Sequence, residues 1–158
     1  MTVQSEYQHE NELIGQLQQL GYASVTLKDE SQLLSNLKTQ IERANGLAPL
    51  SEKEWKQVIS FLNTGTVFER AKNLRDLFPV KFDDGTSKNI YQVTNQITID
   101  HRDYNGRTSR FDVTLLVNGL PLVQIELKKR GMEIAEAFNQ TQRYIREAYW
   151  AGQGLFGF

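Results

Sequence analysis

The chain contains no cysteine. It can build neither a disulfide framework nor a thiolate metal site, which suits a cytosolic protein. No apolar run approaches the roughly 18–20 residues that a membrane-crossing helix needs. The opening text, MTVQSEYQHENELIGQL, has no basic stretch leading into an apolar one, so it does not read as a secretory signal. Net charge is also lacking. With 18 Lys/Arg against 19 Asp/Glu the formal balance is -1, which argues against a strongly basic nucleic-acid binder. The distribution is slightly uneven: 10 Lys/Arg against 13 Asp/Glu in residues 1–100, but 8 against 6 in residues 101–158. That permits a phosphate-facing surface in the C-terminal third without requiring one. There is no internal repeat and no low-complexity stretch. What is present is 158 residues, 39% apolar and 23% charged, enough for one globular domain with its own core. The chain stops on an apolar GQGLFGF, which reads as a strand cut short in a fragment of a larger polypeptide, or else as a natural terminal strand tucked into a sheet.

The first half has helical periodicity. Residues 5–20 place Leu13, Ile14, Leu17 and Leu20 on one face, with Gly21 as a C-cap. Residues 31–45 repeat the spacing with Leu33, Leu34, Leu37 and Ile41. Ser51 and Glu54 form a capping box for a helix that turns Trp55, Val58, Ile59 and Leu62 inward. Thr66 and Glu69 offer a second box, leading to Ala71, Leu74 and Leu77. After Pro79 the period moves toward two. A turn-rich 83-DDGTSK-88 precedes 89–100, where Tyr91, Val93, Ile97 and Ile99 are expected on one face. A 103-DYNG-106 turn leads to strand 108–117, the Asn118-Gly119 turn and strand 121–128. A last helix is expected over about 132–150, with Ile134, Phe138, Thr141 and Ile145 on its core stripe. The expected class is α+β: helices, an antiparallel meander, a helix and the start of a further strand.

The hairpin raises a chemical question, because Asp112, Glu126 and Lys128 lie within its strands. Alternation sends Phe111, Val113, Leu115 and Val117 one way and Asp112 and Thr114 the other. It likewise separates Val123, Ile125 and Leu127 from Gln124, Glu126 and Lys128. A strict two-residue turn would pair Val117 with Leu120 and Asp112 with Ile125, putting the two acids on opposite faces. A three-residue loop, or a β-bulge, would bring Asp112 opposite Glu126. In that register the acids stand roughly 5 Å apart at Cβ. Lys128 lies on the same face about 7 Å along. Two facing carboxylates repel unless something positive joins them. Mg²⁺ accepts one or two protein carboxylates together with water and phosphate oxygens. A lysine beside it can polarise an attacking water or stabilise charge developing on phosphate. The competing interpretation is an exposed cross-strand salt network on a solvated sheet face.

Asp112 followed by Glu126-Leu-Lys128 resembles the PD-(D/E)xK nuclease signature. The longer FDVTLLVNGLPLVQIELKK resembles the nuclease domain of the restriction (R) subunit of type I restriction-modification enzymes. Arg110-Phe111-Asp112 stands where that family typically has Arg-Pro-Asp, and Lys129-Arg130 where it often has Asn-Pro. Glu10, with Leu13, Ile14 and 20-LGY-22, resembles the family's N-terminal helix. Asn95-Gln96 resembles a recurrent pair on the strand before the catalytic one. Gln140-x-x-x-Tyr144 resembles a motif marking one branch of these nucleases.

The resemblance implies a restriction-endonuclease-like αβββαβ core spanning residues 1–158 as a single, C-terminally truncated domain. It implies Asp112, Glu126 and Lys128 as catalytic residues, Asp112 and Glu126 as ligands of Mg²⁺, and Glu10, Gln140 and Tyr144 as supporting residues. Lys129, Arg130, Arg143 and Arg146 are candidates for backbone phosphates, or simply solvated charges. The implied activity is sequence-nonspecific cleavage of double-stranded DNA in a bacterial or archaeal cytoplasm, alongside modification and specificity subunits and away from any membrane. An ATP-driven translocase would follow in the full-length subunit. No G-x-x-x-x-G-K-[ST] occurs here, so ATP binding is not expected of this chain. The alternatives are another PD-(D/E)xK nuclease, of repair or of a mobile element, or a catalytically silent DNA-binding or assembly module. At spacing i, i+3, i+4 and i+7 with Leu13, Ile14 and Leu17, Glu10 needs a partner unless it sits at the stripe's wet edge.

Overall fold

The computed structural model describes residues 6–78, 89–101 and 107–128, together with the isolated helical positions 135, 138, 139 and 142. The described elements, in order, are α1 (Glu6–Gln19), β1 (Ala23–Ser24), α2 (Glu30–Asn45), α3 (Glu52–Leu62), α4 (Val67–Leu77), β2 (Tyr91–His101), β3 (Arg107–Val117) and β4 (Leu120–Ile125). The class is mixed α+β. The sheet order is β1-β2-β3-β4: an antiparallel β2-β3-β4 meander, as expected, plus a short β1 running parallel to β2. Two residues leave no period to read, so β1 was not visible in the sequence.

The helices start and stop where local chemistry tells them to. Asp29 caps α2 by accepting from Gln32 N–H at 2.8 Å. The Ser51/Glu54 and Thr66/Glu69 boxes form at α3 and α4, each satisfying N–H groups that the first turn leaves orphaned. α1 ends at Gly21, whose φ of +95° lets Tyr22 N–H reach Leu17 O and its own N–H reach Gln18 O. The chain therefore turns before Leu20 can join the stripe, and Leu20 is exposed rather than inward. Ala71 is exposed too, and no residue of α4 is fully buried. Phe138, expected on a core stripe, is 60% exposed. Spacing says which residues share a helix face, not whether that face is covered.

The sheet is covered on both sides at its centre. Neighbouring residues of one strand point to opposite faces, and Val93 and Thr94, like Val113 and Thr114, are all buried. Leu13, Ile14 and Leu17 of α1 cover Val93 and Val113 on one face. On the other, Thr94 exchanges hydrogen bonds with Leu27, and Gln92 with Asn36 of α2. A solvated face is thus overturned for this part of the sheet. Leu33 joins Ile97, Ile99, Phe111 and Leu116 in one cluster, while Leu37, Ile41, Leu62, Phe78 and Leu120 form another under α3 and α4.

One expectation about the faces is corrected. Val93 and Val113 pack with α1, whereas Ile97, Ile99 and Phe111 pack with Leu27 and Leu33. Strict alternation would have kept each strand's set together. The change occurs at Gln96, whose φ is +55° in the middle of β2. A left-handed residue inside a strand breaks the period-two pleat, so the residues beyond it exchange faces.

Candidate active site

The hairpin solves its register problem with a bulge. The turn is a two-residue Asn118-Gly119 one, with both residues at positive φ and Val117 opposite Leu120. The three-residue loop is therefore not the device used. The register shifts between Leu115 and Leu116: Leu116 faces Pro121, Leu115 faces Val123, and Leu122 is the extra residue. From there the pairs run Thr114 with Gln124 and Val113 with Ile125. Val113–Ile125 is the last pair of the ladder, and continuing its register by one step would set Asp112 opposite Glu126. The Asp112 carboxylate itself closes the ladder, accepting from Leu127 N–H at 2.8 Å.

Lys128 Nζ donates to Glu126 Oε1 at 2.9 Å. The Glu126 side chain is only 8% exposed and that of Lys128 is 24% exposed. Burial is the main reason that Glu126 titrates above the ordinary carboxylate range; Asp112 and Glu6 push the same way, and Lys128 opposes them. Burial pulls Lys128 down, but the hydrogen bond to Glu126 and the fields of Glu126, Asp112 and Glu6 outweigh it, so its pKa is raised. At neutral pH Lys128 is therefore a held cation.

Glu10 is buried on the α1 face. Its carboxylate accepts from both side chains of the adjacent pair on β2: Asn95 Nδ2 donates to Oε1 in a very short contact, and Gln96 Nε2 donates to Oε2 at 2.6 Å. The wet-edge interpretation of Glu10 is excluded, because 4% exposure leaves it no solvent. Sequence reasoning marked all three residues but not that they touch. It missed Lys28, whose Nζ donates to Asn95 O at 3.3 Å, and Glu6, whose charge acts on Glu126 and Lys128. Glu6 stands one turn before Glu10, a spacing that could have signalled a shared helix face. An open groove of about 370 Å³ adjoins Lys128 and Leu127, bordered by His9, Glu12, Leu13 and Gln16 of α1. Gln140, Tyr144, Lys129, Arg130, Arg143 and Arg146 lie outside the described residues.

Among the described residues, no group of three or more His, Asp or Glu side chains is arranged to hold a metal ion. The donor set that is present is smaller: two half-buried carboxylates, Asp112 and Glu126, close enough for the charge of one to act on the other, both with hard oxygen donors. Two carboxylates suffice for Mg²⁺ when water and phosphate supply the remaining ligands. Burial and the neighbouring Asp112 charge disfavour ionised Glu126, Lys128 offsets part of this, and a divalent cation would offset more.

Two carboxylates and a lysine thus lie close together at the end of the hairpin, on a helix-covered mixed sheet. Comparison with known sequences adds to this. The family described as type I restriction enzyme R protein N terminus matches residues 3–158. The chain is 42% identical over 172 residues to the type I restriction enzyme SauCOLORF180P endonuclease subunit of Staphylococcus aureus, with 99% of this chain and 18% of the relative covered. It is 40% identical over 173 residues to the SsaAORF53P endonuclease subunit of Staphylococcus saprophyticus, again covering 18% of it. It is 38% identical over 167 residues to the EcoprrI endonuclease subunit of Escherichia coli, covering 97% of this chain and 53% of that relative. The chain belongs to the type I restriction enzyme R protein N-terminal family. It spans about a fifth of the staphylococcal relatives and about half of the E. coli one. Among the described residues, no helix is long and apolar enough to cross a membrane.

Proposed function

We propose that this chain is the endonuclease domain of a type I restriction enzyme R subunit, with a restriction-endonuclease-like αβββαβ core, and that it cuts double-stranded DNA without sequence preference. The observation that supports the reading is the bulged register, whose continuation past Val113–Ile125 brings Asp112 to the Glu126–Lys128 segment: Asp112 accepts from Leu127 N–H, and Lys128 is bonded to Glu126. Asp112 and Glu126 would hold Mg²⁺, which when bound supplies Lewis-acid stabilisation at the scissile phosphate. Leu127 N–H fixes the Asp112 carboxylate. The raised pKa of Lys128 favours a charged role over that of a general base. Its ammonium orients the attacking water and stabilises negative charge growing on phosphate.

ATP-driven translocation by segments beyond this chain would bring DNA to the site, modification and specificity subunits would select the target, and the setting is a bacterial or archaeal cytoplasm. Asp112→Ala or Lys128→Ala in the assembled complex is expected to abolish DNA cleavage while folding and ATP hydrolysis persist. Full restriction activity in either variant would refute the assignment.

A further inference from the structure

Gln96 has a backbone conformation that few residues tolerate. Its φ of +55° lies in the left-handed region, where an L side chain is normally disfavoured unless the surroundings hold it there. It is the β2 position between the rungs Asn95–Val113 and Ile97–Phe111, and therefore lies across from Asp112.

The surroundings hold it from two sides. On the α1 side, the buried Glu10 carboxylate takes the amides of both Asn95 and Gln96. At the β1 edge, Lys28 Nζ donates to the Asn95 carbonyl at 3.3 Å, and Thr98 N–H donates to the Lys28 carbonyl at 2.8 Å. Two adjacent strand residues ordinarily point to opposite faces, so one carboxylate could not take both amides. The left-handed turn at Gln96 lets it do so. The same turn marks where the apolar sets of β2 and β3 exchange faces, with Val113 packing beside α1 and Phe111 beside Leu33. Asp112 is the residue between them.

We infer that Gln96 is a positioning residue: its left-handed backbone, locked by the Glu10 carboxylate, fixes the kink in the β2–β3 pair that sets where Asp112 presents its carboxylate. This assigns Glu10 to shaping the site through the sheet. The inference rests on the nuclease reading above and can fail separately from it.

The test separates backbone from side chain in the full-length subunit within the assembled complex. Gln96→Gly keeps the left-handed conformation and loses the amide. Gln96→Val loses the amide and resists the conformation, because a β-branched side chain strongly disfavours positive φ. Gln96→Gly is expected to keep DNA cleavage within a few-fold of the parent. Gln96→Val should lose roughly 100-fold, the scale on which a small misplacement of a reacting group acts. ATP hydrolysis should be unchanged in both.

A second readout does not depend on activity. The Leu127 amide is bonded to Asp112, so hydrogen exchange across residues 126–128 should quicken in Gln96→Val and not in Gln96→Gly. If the valine variant fails to fold, Gln96→Ala takes its place against Gln96→Gly, with a smaller loss in the same direction. Equal losses in the glycine and valine variants, or no loss in either, would overturn the inference. Asp112→Asn serves as the control. Cleavage by that variant overturns the nuclease reading itself, whereas its inactivity beside a fully active Gln96→Val overturns only the positioning role.

Discussion

Gly119 stands at the tip of the hairpin and presses on α2. Its φ is +83°, and a Cβ added there would meet Leu37 Cα at 2.9 Å, Gln40 Cγ at 3.1 Å and Leu37 N at 3.2 Å. Two of those atoms are backbone and cannot swing aside. Gly119→Ala therefore carries two costs: roughly 1–2 kcal/mol for a left-handed alanine and about 1–3 kcal/mol for overpacking against a helix that must shift. A loss of roughly 2–5 kcal/mol would lower the melting temperature of a chain this size by on the order of 10 °C. Thermal and urea unfolding of the 158-residue chain, followed by circular dichroism, measures it. Gly46→Ala separates the two costs, because Gly46 has a φ of +62° and nothing within 4 Å of its Cβ position. It should cost only the conformational part. The Asp112–Glu126 rung lies beyond the bulge from Gly119, so Gly119→Ala in the assembled complex should still cleave DNA at low temperature. If Gly119→Ala and Gly46→Ala melt together, the close approach of the turn to α2 is wrong, and so is the account of what seats the hairpin.

Other outcomes follow from the same geometry. Phe111 is 1% exposed in the cluster with Leu33 and Ile97, so Phe111→Ala should destabilise by about 3–5 kcal/mol in urea titration. In the proposed role Glu126 must be ionised to bind a cation, and its pKa is raised, chiefly by burial; cleavage should therefore fall off on the acid side at a higher pH than an ordinary glutamate would give. Raising Mg²⁺ should move that limb back to lower pH, which a series of pH–rate profiles would reveal. The same shift has a stability sign: a raised carboxylate favours the fold below its unfolded pKa, and that contribution is lost as pH rises through the folded value. Deleting the bulge residue Leu122 leaves Leu116–Pro121 and Leu115–Val123 as neighbouring rungs, so cleavage in the complex should survive. Inserting one residue after Val123 should abolish it by moving Glu126 off the Asp112 rung. The isolated chain is expected to cut DNA weakly or not at all in a plasmid-nicking assay; robust cutting would contradict dependence on the longer subunit.

Elements governed by nearest neighbours along the chain were legible in the sequence. The two capping boxes, the glycine that ends α1 and the stripe of Leu33, Leu37 and Ile41 depend on residues three or four apart, and the structure has them as read. The hairpin and its Asn118-Gly119 turn were legible for the same reason, as was the need for some device to keep the apolar faces of both strands on one side. Which device could not be read, because a bulge at Leu122 and a longer loop satisfy the same burial pattern. The kink at Gln96 was also hidden. Nothing in Asn-Gln announces a positive φ; it follows from a buried carboxylate that arrives from α1, more than 80 residues earlier in the chain. Sequence alone determined which residues could do chemistry and which faces wanted burial, since charge, size and spacing are local properties. The tertiary structure decided where those charges meet, because register, pleat and burial are set by what packs on the other side of the sheet.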